Sequence, residues 1–188
     1  MSIVVADNIV HKNGSGTIYV GSGSSLVGVD AGSLYAPGQI IQTQHVQCAA
    51  TRYSIASADI SAIPDLSVTF TPKLSTSKIL LTAVFNTNAL HVSTWGFLKN
   101  GSVIYTNTNT NSAGSIATTY HNTATTSTDY MHNISIHFWD TAGTTSAITY
   151  QAAGCASWAG TTYTLFINDR NSNDMRSISS MTVQEIAV

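Results

Sequence analysis

Nine residues, KILLTAVFN (Lys78–Asn86), constrain the fold of this chain more than any other stretch. Read as a strand, they place Ile79, Leu81, Ala83 and Phe85 on one face and Leu80, Thr82 and Val84 on the other, because side chains alternate. A sheet with one wet face needs polar residues at every second position, and this segment lacks them. Its second face therefore calls for a cover. A chain of 188 residues has few elements to spare for that task, so a neighbouring subunit is the economical cover. The residues just before it, IPDLSVTFTP, carry Pro64 and Pro72. Proline donates no ladder hydrogen bond, so the two prolines are read as bounding a strand, Leu66–Thr71.

Similar segments recur. Gln39–Gln47, Val92–Leu98, Val103–Thr106, Tyr130–Trp139, Ser146–Cys155, Thr162–Asn168 and Ser177–Ile186 have strand length, with turn residues between them. Asn100-Gly101 joins two of these as a tight hairpin, whose central residues must both take positive φ. In Tyr130–Trp139, His132, Ile134, Ile136 and Phe138 share one face and Asn133, Ser135 and His137 the other. Composition agrees: 24 Ser, 26 Thr and 13 Asn suit strands and turns better than long helices. About nine strands without a helical period predict an all-β fold, an antiparallel jelly-roll sandwich over residues 37–188.

Residues 1–36 differ. HKNGSGTIYVGSGSSLVGVDAGSLYAPG holds seven glycines, with short apolar pieces at Thr17–Val20 and Leu26–Val29. Such pieces make no core alone. They predict an extended Gly/Ser-rich N-terminal arm that orders against a partner or sister subunits; a flexible tail is the plainer alternative.

Charge excludes several functions. Only 9% of residues are charged, against roughly 25% in an ordinary soluble domain. A net charge of -2 gives no basic patch for nucleic acid. No window holds the roughly 18 apolar residues of a membrane helix. MSIVVADNIV has no basic n-region, so no signal peptide is expected, and synthesis in a host cytoplasm followed by release on lysis, as with virion parts, fits a hydroxyl-rich surface.

The residues of reaction chemistry are scattered. Asp59, Asp65, Asp129, Asp140, Asp169, Asp174 and Glu185 pair at no catalytic spacing, and no nucleophile elbow, P-loop or HExxH occurs. His11, His45, His91, His121, His132 and His137 form no metal-ligand pair. The expectation is no enzyme, no metal and no cofactor. Cys48 and Cys155 are expected as buried free thiols, although a disulfide stays open. NDRNSNDMRS reads as a solvated turn with local ion pairs, or else as an intersubunit or ligand contact. The tract Thr106–Thr128 is long for a loop. Asn107, Asn109, Tyr120 and His121 within it are candidate receptor contacts, with a polar, partly strand-like face as the competing reading. Trp95, Trp139 and Trp158 are expected in core or interface packing, with a glycan platform as the alternative. Leu80, Val84, Trp95 and Trp139 are the candidate interface residues.

PGQIIQ, IPDLSVTFTP with STSKILL, LKNGSVI and SISSMTVQEIA occur in an order that resembles phage fibre and virion-surface proteins. That resemblance spans roughly Pro37–Val188 and implies a trimeric C-terminal jelly roll similar to the tumour-necrosis-factor and complement heads. It implies a homotrimer, docked to other virion proteins through residues 1–36, that meets a host surface glycan or protein as a short tail fibre or fibre head. A capsid decoration or head-fibre protein, and a carbohydrate-binding module, are the alternatives. The chain lacks a shaft, a heptad run and a collagen-like repeat, which departs from long fibres.

Overall fold

The structure is a computed structural model, and it describes residues 35–48, 53–57, 59–89, 91–104, 116–121, 130–158, 161–170 and 176–188. The arm residues 1–34, together with Asn107, Asn109, Asp129 and Asp174, lie outside the described residues. Twelve strands and no helix occur among the described residues: β1 (Ile40–Cys48), β2 (Tyr53–Ala56), β3 (Ser61–Phe70), β4 (Lys78–Ala89), β5 (His91–Lys99), β6 (Ser102–Val103), β7 (Ala117–His121), β8 (His132–Thr141), β9 (Ile148–Trp158), β10 (Thr161–Thr162), β11 (Thr164–Ile167) and β12 (Ser179–Ile186).

Every pairing is antiparallel, and the strands make two sheets of six. The first runs β1-β12-β4-β8, with β11 continuing the line of β12 along the far end of β4 and β2 beyond it. The second runs β3-β9-β5, with β6 and β7 along the outer edge of β5 and β10 at the end of β9. The two layers form an antiparallel, jelly-roll-like sandwich. Ile79, Leu81, Ala83 and Phe85 of β4 face its core, as do Met181 and Val183 of β12 and Ile134 and Ile136 of β8. Trp95, Phe97, Ile148 and Tyr150 meet them from the second sheet. Phe85 stacks on Trp95 with ring centroids 4.6 Å apart. Gly154 makes this contact fit: a Cβ there would lie 3.1 Å from both the Trp95 ring and Leu165.

Several sequence expectations appear as drawn. The hairpin after β5 turns on Asn100 and Gly101, both at positive φ. The Asn100 side chain also accepts the Thr149 amide at 2.9 Å, which ties the turn to β9. Cys48 and Cys155 are free and buried.

Others are corrected. Pro64 does not end a strand; it sits inside β3, where the ladder to β9 shifts register between Ala62 and Ser67. β3 pairs only with β9 among the described residues, so a proline at a bulge on an edge costs no central hydrogen bond. Asp65 follows at positive φ, and its carboxylate accepts the Tyr53 hydroxyl at 2.6 Å. That bond, with partial burial and the carboxylate's charge, pushes the Tyr53 phenol up to about 12. Two strands escape the alternation rule, the four-residue β2 and β7, and the stretch read as Thr162–Asn168 divides into β10 and β11. Asp169, read as part of a solvated turn, is fully buried and bridges to Arg176 through the backbone.

Two buried polar knots lock the layers. Asn168 (φ 64°) donates through Nδ2 to the Cys48 carbonyl at 2.7 Å and accepts the Ser179 hydroxyl at 2.7 Å, while its amide bonds the Asn86 carbonyl at 2.8 Å. One residue thereby joins β1, β4 and β12 at the point where β11 ends. Glu185, the chain's single glutamate, is fully buried in β12. It accepts the backbone amides of Lys73 and Leu74 at 2.8 and 3.0 Å and the Gln42 amide at 2.7 Å. Burial pushes its carboxyl up, but these donors outweigh that effect and hold it below the usual carboxylate range.

Candidate functional site

The outward face of the first sheet is the surface that the sequence marks, and the register builds it row by row. Strand alternation turns Leu80, Thr82 and Val84 away from the core, and all three are half-buried in the subunit. Pairing places Thr43, Gln184, Leu80 and Trp139 in one row across β1, β12, β4 and β8. The next row is His45, Thr182, Thr82 and His137, and the one after it Gln47, Ser180, Val84 and Ser135. Ile186, Lys78 and Thr141 close one end, and Asn86 with Asn133 the other.

Hydrogen bonds run along these rows. The Gln184 amide donates to the Thr43 hydroxyl at 3.3 Å, and His45 Nδ1 meets the Thr182 hydroxyl at 2.9 Å. Lys78 Nζ donates to Thr141 Oγ1 at 2.9 Å and Asn133 Nδ2 to Asn86 Oδ1 at 3.1 Å. The side chains are thus held flat and parallel to the sheet. Trp139 stands among them with 52% of its surface exposed, far more than a large aromatic normally leaves in water.

Charge is nearly absent. Lys78 is the one formally charged side chain on this face among the described residues, and no carboxylate joins it. The acids on these same strands point inward. Glu185 holds the loop at Lys73 and Leu74. Asp140 accepts Lys99 Nζ at 2.7 Å and the Tyr150 hydroxyl at 2.8 Å, which clamps β8 to the second sheet. Burial, then the Asp140 bond and its charge, drive the Tyr150 phenol above its ordinary range. A face of hydroxyls, amides, imidazoles and one indole is suited to dock against a flat, uncharged surface. It offers little to polarise a bond.

The candidate residues divide. Leu80, Val84 and Trp139 come together on this face, with Leu80 directly opposite Trp139. Trp95 does not join them: it is fully buried between the sheets against Phe85 and presents no surface to a partner. Tyr120 and His121 belong to β7 rather than to an open loop, opposite Val92 and His91 of β5. They lie on the other sheet from Trp139. Sequence reasoning missed the contribution of β12 and β1. The signal was present in SSMTVQEI, whose alternate residues Ser180, Thr182 and Gln184 form the middle of the face.

Compared with models of protein families, the chain matches none, and no curated protein matches it in sequence. The motif resemblance to phage fibre heads is thus unaccompanied by a matched relative.

Proposed function

We propose that the chain is a non-enzymatic virion structural protein whose sandwich head assembles with copies of itself through the outward face of β1-β12-β4-β8. The observation that carries the reading is the row Thr43-Gln184-Leu80-Trp139, which is apolar at its centre, neutral throughout and held by hydrogen bonds. A surface that meets its own copies must tolerate every residue near its duplicate, and a neutral face does so without like-charge repulsion. Four strands about 4.8 Å apart and five rows about 6.8 Å apart cover on the order of 600 Å². That approaches the roughly 800 Å² per partner of a stable interface. The stoichiometry of three comes from the motif resemblance, as does display toward a host surface from a short tail fibre or a capsid-anchored head. Residues 1–36 would reach other virion proteins.

Sedimentation equilibrium of the full chain at micromolar concentration is the direct test. The expected result is a trimer that the double substitution Leu80→Asp, Trp139→Asp converts to a folded monomer. A monomeric parent chain sinks the reading. The exposed indole favours one competitor, a carbohydrate-binding face, since a ring on a flat sheet can stack on a sugar. A monomer that binds a glycan array only with Trp139 intact would establish that alternative. Labelling intact particles with antibody separates tail from capsid.

A further inference from the structure

The row next to Trp139 carries two histidines. His45 on β1 and His137 on β8 are both exposed, and Thr182 and Thr82 lie between them in register. Their surroundings supply no counter-charge. Around His45, β12 presents Ser180, Thr182 and Gln184, and β1 itself Thr43 and Gln47. Around His137, β4 presents Leu80, Thr82 and Val84, and β8 presents Ser135 and Trp139. The one charged group facing outward from these four strands among the described residues is Lys78, which is itself a cation. Glu185 and Asp140 sit on the same strands but point to the opposite side, each already engaged.

Mild acid therefore changes the character of the face. Histidine charges near pH 6.5, within the range where few other side chains titrate. On this face, protonation adds two positive charges to one of the same sign and finds no carboxylate to meet them. An interface that removes water from these rings favours their neutral form. The sign then follows by linkage. A histidine whose pKa is lowered on assembly supports association fully above its free value, and that support fades as pH falls below it.

Resting on the assembly reading above, we propose that this interface is acid-labile, with His45 and His137 as the groups that part the subunits between about pH 7 and pH 5.5. Each histidine whose pKa falls by one unit on assembly weakens association about tenfold in acid. The pH window is distinct from that of folding, because Glu185 is held below the usual carboxylate range and stays ionised there.

The experiment is sedimentation equilibrium of the full-length protein at about pH 7.5 and about pH 5.5, on the parent chain and on His45→Gln, His137→Gln. Near-ultraviolet circular dichroism at both values reports the fold. Expected are an assembly at the higher pH, folded and dissociated subunits at the lower, and a variant that stays assembled in acid. A parent that remains assembled at about pH 5.5 overturns the acid switch and leaves the assembly reading standing. A variant that dissociates as the parent does overturns the assignment to these histidines. A parent that is monomeric at about pH 7.5 overturns the assembly reading, and the switch with it. Should the double variant fold poorly, the parent's own dissociation midpoint decides: a midpoint below about pH 5 lies outside the histidine range and overturns the proposal.

Discussion

The two sheets turn very different backs outward. Behind the core on the second sheet, Thr94, Ala153 and Cys155 are buried although they alternate with the core residues Trp95, Ala152 and Ala156. They are small, and Thr94 pairs with Cys155 at 2.8 Å between hydroxyl and thiol. Behind the core on the first sheet stand larger groups, Leu80, Val84 and Trp139, left half-buried or exposed. The same strand rule gives both backs. What differs is where burial is completed: within the chain for the second sheet, outside it for the first. A strand that is apolar on both faces is therefore weak information about a chain's own core until its partners across the ladder are known.

The sharpest way to break this contrast is to damage each side and compare stability with assembly. Trp95→Ala removes the largest ring from the core beside Gly154, and an unfolding loss of about 3–5 kcal/mol is expected by chemical denaturation. A loss near zero would mean that Trp95 is not core. Glu185→Gln comes next, at about 2 kcal/mol, because charge-assisted bonds to two amides weaken. Its folded carboxyl is held low, so the parent keeps this stabilisation above about pH 4.3 and loses it as pH falls toward the depressed value. The variant should lack that acid-side decline in melting temperature. Thr94→Val, near the same size as the original, removes the Cys155 partner on the covered back and should cost about 1 kcal/mol. Smallest is Trp139→Ala, expected within about 0.5 kcal/mol for the isolated subunit while association weakens strongly. If Trp139→Ala unfolded the subunit, the first sheet's back would belong to the core after all.

Much of the fold was legible because alternation, an Asn-Gly turn and proline positions are local signals. β4, β8, β9 and β12 declare themselves by composition alone. β2 and β7 do not: YSIA is too short to show a period, and ATTYH lies inside a run of Thr and Asn with no apolar contrast. Pro64 misled because a bulge lets an edge strand continue past a residue that would end a central one. The face itself was half legible. Leu80 and Val84 stand out within one segment, but their neighbours Thr182, Gln184 and His45 arrive from distant strands, and no local pattern announces a long-range register. Trp95 and Trp139 look alike in sequence, each beside apolar residues. Only the pairing shows that one faces Phe85 and the other water.

The position of β12 has a consequence for the order of events in synthesis. This strand lies between β1 and β4, yet the ribosome makes it long after both. Until Ser179–Ile186 emerges, the facing edges of β1 and β4 have no strand to bridge them, and the amides of Lys73 and Leu74 have no Glu185 to bind. Unbridged edges are templates for the wrong neighbour. A nascent chain stalled before β12 is thus a sheet with its middle missing, exposed to pairing with other nascent copies. Completing the first sheet is a late and non-local step, of the kind that makes β-rich chains slow to fold.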